Sequence, residues 1–115
     1  MQEIKSSKLI VNKSKFFGHL YQINNIDEIK ILINKHKKIY KKANHHCYTV
    51  ILNGEEIVKN DGEVGHPGKV LLQILKKHQL NNHCIIVSRM FGGIKLGPSG
   101  VAKAFKNCAN QLFNQ

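Results

Sequence analysis

Arginine is nearly absent from this chain: of 18 Lys and Arg residues, Arg89 alone is an arginine. Acidic residues are also scarce, and 7 Asp and Glu leave a formal charge of +11. Cysteines number 3, namely Cys47, Cys84 and Cys108. An odd, scattered set in apolar surroundings excludes a disulfide framework and reads as buried thiols in a reducing cytoplasm. No window reaches the ~20 apolar residues of a membrane span, and Met1–Lys8 has no signal-peptide core. A cytoplasmic location without membrane attachment is therefore expected. Linkers, repeats and low-complexity stretches are lacking too. The expectation is one domain over residues 1–115, large enough to bury a core without staples.

The basic excess points toward a polyanionic partner, but Lys, Asn and Ile are all abundant, as AT-rich codons produce. Part of the charge is therefore compositional background. What survives is clustering: Lys35, Lys37, Lys38, Lys41 and Lys42 form one run around Ile39 and Tyr40, flanked by His36. On a helix these lysines cover the solvent side. Two readings stay open, a solvated face and a nucleic-acid or ribosomal surface.

Two strand-like runs, Ser7–Val11 and Phe16–Ile23, flank a turn at Asn12–Lys15. Asn25-Ile26-Asp27-Glu28 reads as a capping box, with Asn25 as N-cap and Glu28 reaching back. It opens a helix whose buried stripe is Ile29, Leu32, Ile33, His36 and Tyr40, ending near Lys41–Asn44. A strand over His46–Leu52 and a short one over Glu56–Lys59 form a hairpin across Asn53-Gly54-Glu55. A second helix follows Gly65-His66-Pro67-Gly68, with Val70, Leu71, Ile74, Leu75 and His78 inward. Cys84–Ser88 is a buried strand expected to stop at the polar pair Ser88-Arg89. The last helix spans about Ser99–Phe113, with Val101, Phe105, Cys108, Ala109 and Leu112 as its core stripe and Pro98 in its first turn. The order β-β-α-β-(β)-α-β-α predicts an α+β fold: two layers, with one mixed sheet and the helices on one face.

The segment Ile85–Gly97 carries the strongest functional signal. A strand that feeds a Gly-rich turn and then a helix N-terminus is a common anion site, because backbone N–H groups and the helix dipole converge there. Arg89 adds a planar five-donor fork. It serves either such a site or a carboxylate, Asp61 or Glu63. That acidic pair sits in a glycine turn and is read first as structural, anchoring Arg89 or capping a helix; a metal or acid–base role is the weaker alternative. The histidines His45, His46, His66 and His83, with Cys47 and Cys84, match no zinc-ligand spacing, so no metal is expected. Ser88 has no His–carboxylate partner identifiable from sequence, and no catalytic residue is assigned. The glycines match neither a Walker loop nor a dinucleotide fingerprint, and no cofactor is expected.

The run Val87-Ser88-Arg89-Met90-Phe91-Gly92-Gly93-Ile94-Lys95-Leu96-Gly97-Pro98 closely resembles the signature of the Impact/YigZ family. Lys13-Ser14-Lys15-Phe16 is similar to that family's entry strand, Asn60-Asp61-Gly62-Glu63 to its acidic turn, and Asn107-Cys108-Ala109 to the last helix of eukaryotic Impact proteins. Met90 departs from the pattern by replacing an aromatic residue, and the Val64–Gly68 loop has the shorter eukaryotic-type length. The chain is expected to comprise the family's shared domain alone. It would lack the ferredoxin-like domain of bacterial members and the N-terminal partner-binding domain of eukaryotic ones.

The resemblance implies a fold similar to domain IV of the translocation elongation factor, with a left-handed βαβ crossover. It also implies a non-enzymatic role in translational control. The expected partner is a protein, the ribosome-associated activator of the kinase that responds to amino-acid starvation, or else RNA or the ribosome itself. A phosphate- or nucleotide-binding enzyme is the rival class. The binding site it implies comprises Asp61, Gly62, Glu63, Lys69, Arg89, Phe91, Gly92, Gly93, Lys95 and Gly97, with the lysine run as a secondary basic patch.

Overall fold

The computed structural model describes residues 1–114. Its elements are β1 (Gln2–Val11), β2 (Ser14–Gln22), α1 (Asp27–Ile39), β3 (His45–Leu52), β4 (Glu55–Lys59), α2 (Pro67–Lys77), β5 (His83–Met90) and α3 (Gly97–Asn110), closed by a short helical turn, Gln111–Phe113. Both predicted hairpins form, and each turns on two residues with positive φ: Asn12 and Lys13 in one, Asn53 and Gly54 in the other. Such turns match the strand twist.

The strands form one sheet in the order β1-β2-β5-β3-β4. Every neighbouring pair is antiparallel, so the expected mixed sheet is corrected. The reason is topological. β2 and β3 run parallel to each other but β5 lies between them, and β4 and β5 run parallel with β3 between them. The chain thus contains two interlocked split βαβ units, through α1 and α2.

The layer count also changes. Along β5, Cys84 and Ile86 pack with Ile29 and Leu32 of α1. Ile85 and Val87 pack with Leu71 and Leu75 of α2 and with Val101 and Phe105 of α3. Adjacent strand residues point to opposite faces, so α1 covers one face while α2 and α3 cover the other. The fold has three layers, not two. A strand buried on both faces reads as a continuous apolar run, which is what Cys84–Val87 shows. Opposite faces have a further consequence. In-plane rotation superimposes the paths of the two crossovers while their helices stay on opposite sides, so one of the two is left-handed, against the usual rule.

Other boundaries shift modestly. α1 stops at Ile39, so Lys41 and Lys42 lie in the following turn and the five lysines do not share one helical face. Glu28 does reach back, accepting from the Asn24 and Asn25 N–H groups at 2.6 and 3.2 Å, although the Asn25 side chain makes no cap bond. His78 is exposed, not inward, and stacks on Phe113 at 3.8 Å. β5 continues through Ser88 and Arg89, both buried, because their polar groups find partners inside. No helix among the described residues is long and apolar enough to cross a membrane.

Candidate functional site

Arg89 lies on the α2/α3 face of β5 with 5% exposure. Its Nη1 donates to both oxygens of Glu63, at 3.0 and 2.9 Å, and Nη2 donates to Ser14 Oγ at 3.4 Å. The guanidinium also sits over the rings of Phe16 and Phe91, at 5.4 and 5.8 Å. The expected carboxylate partner is therefore Glu63. The fork is not used bidentately, since both bonds to Glu63 leave from one nitrogen. Nε is enclosed and has no hydrogen-bond partner among the described residues. The guanidinium thus ties three segments together: the β1–β2 turn, β5 and the acidic loop.

Asp61 parts company with Glu63. Its Oδ2 accepts from the His46 backbone N–H at 2.7 Å, and its carbonyl pairs with His45 Nδ1. Gly62 lies beside the His45 ring. Gly92 packs directly on the Lys13–Ser14 backbone, where an added Cβ would fall 2.1 Å from the Lys13 carbonyl carbon, and its N–H donates to Ser14 Oγ. Only glycine fits there. Gly93 and Gly97 have positive φ and open space around them.

Arg89, Phe91, Lys95 and Gly97 line one cleft of about 320 Å³ together with Val64 and Leu96. Its walls are almost entirely apolar. Val64, Phe91 and, in the same loop, Ile94 are each about half exposed. Lys69 is exposed on α2 and lies outside this cleft. The α2 N-terminus offers little to an anion, because Pro67 has no N–H and the Gly68 N–H is taken by Asn60 Oδ1 at 2.9 Å. The rim thus presents apolar side chains beside Lys95, with the arginine charge neutralised beneath them.

A second polar cluster was invisible to the sequence reading. On the α1 face, Tyr21 OH meets His36 Nε2 at 2.8 Å, and Ser88 Oγ lies between His36 Nδ1 at 2.9 Å and His46 Nδ1 at 2.7 Å. Burial pushes the His36 imidazolium down to about pKa 3, helped by repulsion from His19, His46 and Lys35. Burial likewise lowers His46, against a smaller upward pull from Asp61. Ser88 is fully enclosed, and Asp61 holds a backbone N–H instead of an imidazole. This is not a nucleophile–base–carboxylate relay. The signal for it lay in apolar-strand positions filled by Ser and His. Burial also raises all three thiols, Cys108 to about 11.

Comparison with known proteins fixes the family. The Impact N-terminal domain model matches residues 12–113. This chain belongs to the Impact/YigZ family. It is 30% identical to the IMPACT family member YvyE of Bacillus subtilis, over 99% of this chain and 54% of YvyE. It is 39% identical to the Protein IMPACT homolog of Dictyostelium discoideum, over 74% of this chain and 26% of that protein. The chain spans about half the length of the bacterial relatives it matches, YvyE and, at 54%, YigZ of Escherichia coli. Among solved structures, a protein described as hypothetical matches with a TM-score of 0.85 at 24% identity, covering 99% of this chain and 59% of that one. The two-domain translational regulator Yih1 matches at 0.53 and 19%, covering 96% and 45%. These likenesses bear on the fold.

Proposed function

We propose that this chain regulates translation by docking a protein partner on the rim formed by Val64, Phe91, Ile94 and Leu96. The observation that carries this reading is the exposed apolar character of the rim, with the arginine charge already satisfied internally. A protein partner buries aromatic and aliphatic anchors of this kind, with a basic residue such as Lys95 at the edge. An anion site at this end of α2 would instead leave the guanidinium and the Gly68 N–H free. Family membership supports the translational context, as does the description of the structurally similar Yih1 as a translational regulator. The partner class is the ribosome-associated kinase activator that the resemblance implied, and the setting is the cytoplasm.

Co-sedimentation with ribosomes and their associated factors tests the proposal. Val64→Asp and Phe91→Ala should each abolish most of the binding, and raising the salt should change wild-type binding little. A second reading, direct RNA binding, rests on the exposed lysines of α1 and the turn after it, which have no ion-pair partner among the described residues. It predicts the opposite pattern: steep loss with salt, and indifference to Phe91→Ala.

A further inference from the structure

A separate cleft of about 400 Å³ opens between α1 and the β3–β4 hairpin. Its place follows from the topology. α1 packs on side chains of β2, β5 and β3, and of the edge strand β4 only Ile57 reaches that cluster, so one flank of the helix faces the hairpin across a gap. Three lysines from two elements converge on it. Lys30 and Lys37 stand seven residues apart on one face of α1, and Lys59 ends β4 across from Tyr48. None of the three has an ion-pair partner among the described residues, where Lys76 with Glu56 is the only lysine side-chain pair.

The floor is apolar and aromatic, formed by Ile29, Ile33 and Tyr48. His46 closes one end with 8% exposure. Its Nδ1 is held by Ser88, which fixes the ring, while its Nε2 has no partner among the described residues and belongs to the cleft-lining side chain. The one carboxylate in the lining, Asp61, is engaged with the His46 backbone N–H. The site therefore combines uncommitted positive charge, one positioned imidazole nitrogen and a flat apolar bed.

We propose that this cleft binds a phosphate monoester carrying a flat ring, of nucleoside monophosphate size. Lysines act as point-charge phosphate binders, three of them suit a dianion, and the volume falls within the range of small-ligand pockets. Tyr48 offers a stacking face for the base. The phosphate would lie between Lys37 and Lys59, near His46 Nε2, and the ring over Ile33 and Tyr48. This site is distinct from the rim and does not depend on the docking proposal.

Calorimetric titration of the full chain with adenosine monophosphate tests it, with adenosine and inorganic phosphate as separate probes. The nucleotide should bind saturably at one site and more tightly than either fragment. Lys37→Gln and Lys59→Gln should each weaken it about tenfold, while Lys41→Gln/Lys42→Gln, which removes twice the charge but outside the cleft, should leave it unchanged. Circular dichroism establishes equal folding of these exposed-lysine variants. Phe91→Ala should bind the nucleotide like wild type, which separates this site from the rim. Three results would overturn the proposal: no saturable nucleotide binding, equal loss in the Lys41/Lys42 control, or binding of an oligouridylate without binding of the mononucleotide. The last would mark an extended RNA track in place of a small-ligand pocket.

Discussion

The two faces of the sheet are sealed by different chemistry. Against α2 and α3 the contacts are those of an ordinary apolar core, with Phe16 and Phe105 edge to face at 5.4 Å among Leu, Val, Ile and Ala side chains. Against α1 the apolar set is smaller, and a hydrogen-bonded row of Tyr21, His36, Ser88 and His46 replaces part of it. Apolar burial acts at every pH, whereas a row holding neutral imidazoles is bound to proton activity. The α1 face thus carries buried imidazoles within its packing, whereas the α2/α3 face is apolar except where the Arg89–Glu63 pair closes its edge.

The largest expected effect breaks the apolar face. Phe105→Ala should cost about 3–5 kcal/mol in urea unfolding, and Leu32→Ala on the α1 face should cost clearly less. Equal costs would erase the contrast. Next comes the buried ion pair on the same side. Glu63→Gln leaves Arg89 charged and enclosed and should cost about 3 kcal/mol, with Glu63→Gln/Arg89→Met recovering most of it. Arg89→Lys should also be poorly tolerated, because Lys forfeits the Ser14 contact and the two ring faces.

The third prediction sharpens the acid-sensitive side. The folded-state pKa of His36 is about 3, below its ordinary value of 6.5. The unfolded chain therefore binds the proton that the folded chain refuses. This contribution is fully present above pH 6.5 and is lost progressively as pH falls from 6.5 toward 3. The slope from this residue is at most about 1.4 kcal/mol per pH unit. Denaturation followed across that range in wild type and His36→Gln should show the slope shrinking in the variant; an unchanged slope would shift the origin to other groups. The smallest effect belongs to the exposed turn, where Lys41→Gln and Lys42→Gln should each change stability by no more than about 0.5 kcal/mol.

Periodicity located the elements because it reports one helix or one strand at a time. The α3 stripe of Val101, Phe105, Cys108, Ala109 and Leu112 is buried as read, and the Arg89–carboxylate pair was legible from the scarcity of arginine and of carboxylates. Layering was legible in principle from Cys84–Val87, whose unbroken apolar run requires cover on both sides. It was missed because strand patterns elsewhere are only partly alternating. The strand order could not be read, since it depends on which strands meet across long separations. The Ser88 cluster stayed hidden for the same reason: its two histidines lie 52 and 42 residues away in sequence. A polar pair after an apolar run reads as a strand's end unless its partners are known.

The central position of β5 also governs the order in which the molecule can be made. Until His83–Met90 leaves the ribosome, the β1–β2 hairpin has nothing to pair with on its inner side, and neither has the β3–β4 hairpin. The nascent chain therefore carries two hairpins with open inner edges, each a template for pairing with the wrong strand, until that strand emerges. Closure is a late, long-range event, of the kind that folds slowly. A chain stalled before residue 83 should bind chaperones, and one carried through α3 should close its sheet in a single concerted step.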